Sequence, residues 1–187
     1  AEINQVTAPV AWEEFRRLAK MLTIRNGDGV DRAGAAMGSA KNIDMFSDIL
    51  GLLFSQAFAG TESINEAIPA NLDSDEAADA LQFYSNFLKE DNVWNESFPD
   101  AATAFADGKV SMIFVPSWKL LDILKAKDRY NFEIGVAPVP QALSDRPASW
   151  GTYWVDVVPA SGKNTSAAWD FLNFLASEQA QLLAHSE

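Results

Sequence analysis

From Trp12 to Leu22 the apolar residues Trp12, Phe15, Leu18, Ala19 and Leu22 recur at steps of three and four, with Pro9 near the start, and this spacing predicts an amphipathic helix. Turn chemistry in Arg25-Asn26-Gly27-Asp28-Gly29 ends it, and the short apolar run from Ala33 to Met37 is expected as a buried strand. Ile43, Phe46, Ile49, Leu50, Leu53, Phe54 and Ala57 mark a second helix stopped by Gly60. Asp73 and Glu76 form a capping-box pattern at the head of a third, which carries Ala77, Leu81, Tyr84, Phe87 and Leu88. After a loop from Asn92 to Pro99, Asp100 to Asp107 predicts a short helix closed by Gly108, and Val110 to Val115 a strand. Pro116-Ser117 then opens a helix running to Lys127. Phe132 to Ala137 is expected as a further strand, Pro138 to Pro147 as a Pro-bearing loop, and Thr152 to Val158 as a half-buried strand. Asn164 or Thr165 caps a last helix with Ala168, Phe171, Leu172 and Leu175. Helix and strand alternate without an internal repeat, so the fold class is α/β.

Composition narrows the function. The chain of 187 residues holds 14 Lys plus Arg against 26 Asp plus Glu, a net charge of −12, and no nucleic-acid partner is expected because that binding needs cations to neutralise phosphates. With 48% hydrophobic residues, 12 Phe and 6 Trp, the chain has the apolar material for one packed domain, or one plus a fragment, and disorder is excluded as its main state. The absence of Cys closes disulfides, thiolate metal sites and a cysteine nucleophile. No apolar run approaches the ~20 residues that span a bilayer. The start at Ala1-Glu2-Ile3, without Met or a signal-peptide pattern, reads as an excised or processed piece.

Enzymatic and cofactor motifs fail on their own spacing. Asn26-Gly27-Asp28-Gly29-Val30-Asp31 looks like a calcium loop, but Val30 takes a ligand position and Met37 the place of the terminal Glu. Gly162-Lys163-Asn164-Thr165 resembles the end of a phosphate loop, but Val157 stands where its first glycine belongs. His185, the one histidine, has no Gly-x-Ser-x-Gly partner motif. No metal or cofactor is expected. Paired carboxylates such as Asp44 and Asp156 leave one alternative open, a glycan-processing enzyme with two acids across a scissile bond.

The aromatics are more informative. Trp12, Phe15, Phe46, Phe54, Phe83, Phe87 and Phe171 fall at helical spacing and are expected in the core. Trp118 instead follows a strand at a helix start, while Trp150, Tyr153 and Trp154 flank a loop-to-strand junction. Ligands of open α/β sheets gather where strands end and helices begin. Flat rings with a polar edge suit a solute with apolar faces and hydroxyl rims, such as a sugar.

Four stretches, in order, carry a family resemblance. Ala8-Pro9-Val10-Ala11-Trp12-Glu13-Glu14-Phe15 is similar to a Pro-x-Thr-Trp-Glu-Glu helix start, and Phe105-Ala106-Asp107-Gly108-Lys109-Val110-Ser111-Met112, continuing to Pro116-Ser117-Trp118, to a Phe-x-x-Gly-Lys-x-Ala-Met segment ending in Trp. Gly135-Val136-Ala137-Pro138-Val139-Pro140 matches a Gly-x-x-Pro-x-Pro strand exit. Pro159-Ala160-Ser161-Gly162-Lys163-Asn164, with Ala167-Ala168-Trp169-Asp170-Phe171-Leu172-Asn173-Phe174-Leu175 after it, resembles a Ser-x-Asn…Ala-x-x-Phe-Leu-x-Phe-Leu helix. Together they resemble the extracellular solute-binding proteins of ABC importers, in the carbohydrate-type family that includes maltose-binding protein. Val115 departs from the glycine that the family places before its Trp motif.

The resemblance implies a type II periplasmic-binding-protein-like lobe, a sheet flanked by helices, with an incomplete second lobe. Residues 1–147 would be the C-terminal lobe, and residues 148–187 a strand and helix that cross back to a missing N-terminal lobe. It further implies a non-enzymatic, extracytoplasmic receptor, periplasmic or a lipoprotein on the cell surface, that holds a carbohydrate between hinged lobes and delivers it to a membrane permease. Trp118 would be the platform under a sugar ring with Ser117 beside it, Trp150 and Tyr153 would add stacking or a hydroxyl bond, and Asn42 and Asp44 would meet sugar hydroxyls.

Overall fold

The computed structural model describes residues 7–27, 29–59, 72–125 and 132–185, which divide into a first unit up to Gly151 and a second from Thr152 onward. The first unit begins with the predicted amphipathic helix α1 (Trp12–Leu22), which buries Trp12, Phe15, Leu18 and Ala19 and sets Glu13 and Glu14 in its first turn and Lys20 in its last, in accord with the helix dipole. It lies directly on a strand: a Cβ at Gly34 would sit 1.8 Å from the Ala19 carbonyl oxygen, so only glycine permits the approach. Thr23 ties the same crossing, donating to the Ala19 carbonyl and accepting from the Gly34 amide.

The Asn26-Gly27 turn joins two strands, where the sequence predicts a simple helix-to-strand turn. β1 (Ile24–Asn26) pairs antiparallel with β2 (Gly29–Ala35), and Gly27 takes the positive φ of 61° that such a turn needs. From β2 the chain passes through α2 (Phe46–Phe58), α3 (Asp75–Lys89) and α4 (Ala101–Ala106) to β3 (Val110–Met112), which pairs parallel with β2 through Ala33↔Val110 and Ala35↔Met112. α5 (Ser117–Lys125) follows. The sheet order is β1-β2-β3. Gly60, expected to end α2, and Lys127, expected to end α5, lie outside the described residues.

Local chemistry sets the ends of α3 and α4. Ser74 caps α3, its hydroxyl accepting from the Ala77 amide, so the cap stands one residue beyond the predicted Asp73. Asp100 caps α4 by accepting from the Thr103 amide, and a bond from the Thr103 side chain, with backbone amides beside it, holds the Asp100 carboxyl below the ordinary range against the opposing pull of burial. Gly108, at φ 69°, closes the same helix as predicted.

The core gathers an aromatic cluster between α1, α3 and the exit of β3. Trp12 stands 5.6 Å from Phe15, 5.7 Å from Phe83 and 5.6 Å from Phe114, centroid to centroid, and Phe15 and Phe83 both reach Phe87. At this spacing aromatic pairs contribute about 0.5–1.5 kcal/mol beyond area burial. Phe46 and Phe54 pack half-buried against the same core.

Two predicted strands are absent and a third is short. β3 stops at Met112, because β2 offers its last partner there, with the Ala36 amide donating to the Met112 carbonyl. Residues 133–140 carry no regular structure, and a crevice of about 990 Å³ opens among them, α1 and the β3 exit. Residues 152–158 form no strand either, and Tyr153, Trp154, Val155 and Val157 are exposed. A strand needs a neighbour to satisfy its amides, and neither segment has a ladder among the described residues.

The second unit carries α6 (Thr165–Leu175), with Asn164, one of the two predicted cap residues, at its N-cap position but making no side-chain capping bond, and a helix that the sequence reading did not foresee, α7 (Glu178–His185). Ser177 opens α7, accepting from the Ala180 amide. Phe171, expected in the core, is exposed on α6, which buries no residue.

Candidate functional site

Parallel pairing puts the C-terminal ends of β2 and β3 on one edge of the sheet. Residues 36–45 leave β2 toward α2, and residues 113–116 leave β3 toward α5. Asn42 and Asp44 stand on the first connection, and Ser117 and Trp118 on the first turn of α5. Four of the six residues singled out from the sequence therefore follow the C-terminal ends of these two parallel strands, two on a connection and two at a helix start, where α/β proteins bind ligands.

The α5 side is open to solvent. Trp118 is 56% exposed, a large apolar surface for a helix start, and the Lys119 ammonium lies 5.6 Å from its ring centroid. Ser117 is exposed and also lines the crevice of residues 132–140. Its hydroxyl and the neighbouring ring provide one polar and one stacking contact side by side.

The 36–45 connection is held from beneath. Gly38 takes φ 98° where a Cβ would meet the Leu88 backbone at 2.6 Å, and the Tyr84 hydroxyl donates to the Ser39 carbonyl at 2.7 Å. Burial raises the Tyr84 pKa, so this hydroxyl stays a donor. Ser39 in turn donates to the Glu96 carboxylate at 2.6 Å and accepts from the Lys41 amide. Asn42 is engaged inside the protein: its amide nitrogen donates to the carbonyls of Asn95 and Phe98, and its oxygen accepts from the Trp94 indole at 2.7 Å. Both amide hydrogens are thereby used. Asp44, two residues on, is exposed.

Trp150 is placed differently from Trp118. Its ring lies against Gly51 in α2, and its indole nitrogen donates to Asp48 at 3.2 Å. Tyr153 belongs to the second unit, where it is exposed, as does Asp156; Asp44 and Asp156, the candidate acid pair, thus fall in different units. Among the described residues no group of three or more His, Asp or Glu side chains is assembled as metal ligands, and no helix is long and apolar enough to cross a membrane.

Three buried residues that organise the first unit escaped the sequence reading. Trp94, 1% exposed within a polar loop, anchors Asn42; an indole in the run Glu90-Asp91-Asn92-Val93-Trp94-Asn95 is itself a burial signal. Gln56, 3% exposed, occupies the α2 face shared with Ile49, Leu52 and Leu53, a polar residue at an apolar position. Asp91 is buried beyond α3, where Arg16 binds both carboxylate oxygens, Lys20 approaches to 2.6 Å and Arg25 donates to its carbonyl. Burial pulls its carboxyl upward, but hydrogen bonds and charge from Arg16 and Lys20 outweigh that and leave it below the ordinary range.

The sequence profile of the bacterial extracellular solute-binding proteins matches residues 1–182. The chain belongs to this family. Among solved structures it resembles the maltose/maltodextrin-binding domain MalE from Bdellovibrio bacteriovorus, bound to maltotriose, at 25% identity and a TM-score of 0.61, covering 96% of this chain and 46% of that one. An ABC transporter solute-binding protein from Thermotoga lettingae, bound with α-D-tagatose, follows at 23% identity and TM-score 0.58, covering 92% and 43%. The maltose-maltodextrin binding protein of Alicyclobacillus acidocaldarius matches at 22% identity and TM-score 0.52, covering 94% and 44%. These last two show the fold alone. A search of curated proteins finds no match. The chain spans less than half the length of these structures, and its α/β architecture is that of a periplasmic-binding-protein-like lobe.

Proposed function

We propose that the chain is part of the substrate-binding component of an ABC importer. Residues 1–147 form its C-terminal lobe, and residues 148–187 return toward an N-terminal lobe that lies outside this sequence. The lobes close over a sugar or oligosaccharide and release it to a membrane permease, in the periplasm or at the cell surface. Maltotriose in the Bdellovibrio relative supports a carbohydrate as solute.

The observation that carries this reading is Trp118, an exposed indole on the first turn of a helix at the ends of two parallel strands. Its face stacks on a sugar ring, and Ser117 and Asp44 bond hydroxyls. Asn42 acts behind them, holding the connection that presents Asp44. Calorimetric titration with a carbohydrate panel including maltotriose tests the proposal. The isolated chain binds weakly and a two-lobed protein containing it tightly, since one lobe supplies half of the contacts. In the two-lobed protein Trp118→Ala weakens binding by about 1–3 kcal/mol, roughly 5- to 150-fold. Micromolar binding by the isolated chain refutes the two-lobe mechanism, and unchanged affinity in the variant removes Trp118 from the site.

A further inference from the structure

Residues 139–150 have no helix or strand, yet they are tied to α2 at two places about a turn and a half apart. At the first, the buried Gln56 side chain donates to the carbonyls of Pro140 and Ala148, both at 3.0 Å, and accepts from the Ala142 amide at 3.0 Å. Gln141 closes the loop on itself, accepting from the Ala148 amide at 2.9 Å. At the second place, nearer the α2 start, the Trp150 indole lies over Gly51 and donates to Asp48. A Cβ on Gly51 would fall 2.7–2.9 Å from three atoms of the indole, so the absence of a side chain there makes the seat. Gly51 has no turn or positive φ to explain it, and it lies inside a helix, where Ala is the better helix former. The next residue, Gly151, is the last of the first unit, and Tyr153 and Trp154 beyond it are exposed.

We infer that Gly51 and Asp48 form an indole seat in which Trp150 clamps the end of the first unit, so that backbone freedom begins at Gly151. Trp150 is on this reading a positioning residue, with its ring committed to α2 rather than offered to a solute. The inference stands on the geometry of α2 alone and does not depend on the identity of the ligand.

Limited chymotrypsin digestion of the full 187-residue chain, read by mass spectrometry, tests it. In the wild type the first cuts fall after Tyr153 and Trp154, while the bond after Trp150 is spared. Gly51→Ala evicts the indole and adds an early cut after Trp150, raising its rate tenfold or more. Hydrogen exchange of the Ala148 to Gly151 amides accelerates with it, while the α2 amides keep their protection. An early cut after Trp150 in the wild type overturns the inference, and so does a Gly51→Ala chain whose exchange at 148–151 is unchanged. Should Gly51→Ala fail to fold, Asp48→Ala decides: a several-fold faster cut at Trp150, restored toward wild type by Asp48→Asn, which keeps an acceptor oxygen, supports the seat. Equal rates in all three chains refute it.

Discussion

Replacing Gln56 by Met retains most of the side-chain volume and removes every hydrogen bond that it makes, which isolates the polar contribution of the α2 tie. The Gln56 oxygen accepts from the Trp12 indole at 2.7 Å and from the Ala142 amide, and its nitrogen donates to the carbonyls of Pro140 and Ala148 and to Gln141. Trp12 is buried at the centre of the aromatic cluster, so its N–H loses its partner without gaining water, a cost of about 1–3 kcal/mol. The Pro140 carbonyl faces a comparable loss, whereas Ala142 is exposed and its amide recovers water, at roughly 0.5–1 kcal/mol. The sum is about 2.5–7 kcal/mol, a large part of the roughly 5–15 kcal/mol that holds a domain folded. Urea unfolding followed by tryptophan fluorescence measures it as a lower midpoint at unchanged slope. Gln56→Glu does not rescue the protein, since a carboxylate has no N–H to give the two carbonyls. A loss below about 1 kcal/mol in Gln56→Met refutes the reasoning, because it means that water replaces these bonds at no cost.

Other consequences are equally direct. Gly34→Ala forces a Cβ into the Ala19 carbonyl and separates α1 from β2; we expect about 2–4 kcal/mol of destabilisation, read by urea unfolding, and a neutral result refutes the close approach. Asp91 has a depressed carboxyl, so its ion cluster contributes stability above the unfolded-chain pKa and loses it as pH falls through the folded one. Asp91→Asn therefore lowers the unfolding midpoint at pH 7, and the gap to wild type narrows as the pH is taken below about 4; a gap that stays constant with pH contradicts the assignment. Trp118→Ala leaves the unfolding midpoint within about 0.5 kcal/mol of wild type, because an exposed ring contributes little packing, and a larger loss places the ring in the core instead.

The candidate edge was partly legible before the fold. A strand followed by Pro116-Ser117-Trp118 marks an indole at a strand end whatever surrounds it, and the structure exposes that ring. Asn42 and Asp44 read alike as polar groups near a helix start, but only the fold separates them: one is spent on Trp94 and the 95–98 loop, the other faces solvent. Trp118 and Trp150 read alike too, and only the missing side chain at Gly51 explains why one is open and the other seated. A helix residue chosen for what it lacks leaves no periodic mark.

Helices were read well because their hydrogen bonds are local and their burial follows a period of 3.6 residues, so α1 runs from Trp12 to Leu22 in both sequence and structure. The strands expected at Phe132 to Ala137 and Thr152 to Val158 have the right side chains and no ladder, because a strand is completed by a distant segment that its own pattern does not name. What the sequence by itself determined is therefore the helices up to α6, the acidic charge and the family. Which polar groups are consumed inside, which rings are free, and where the chain is fastened were decided by tertiary structure, since each depends on what one segment finds opposite it.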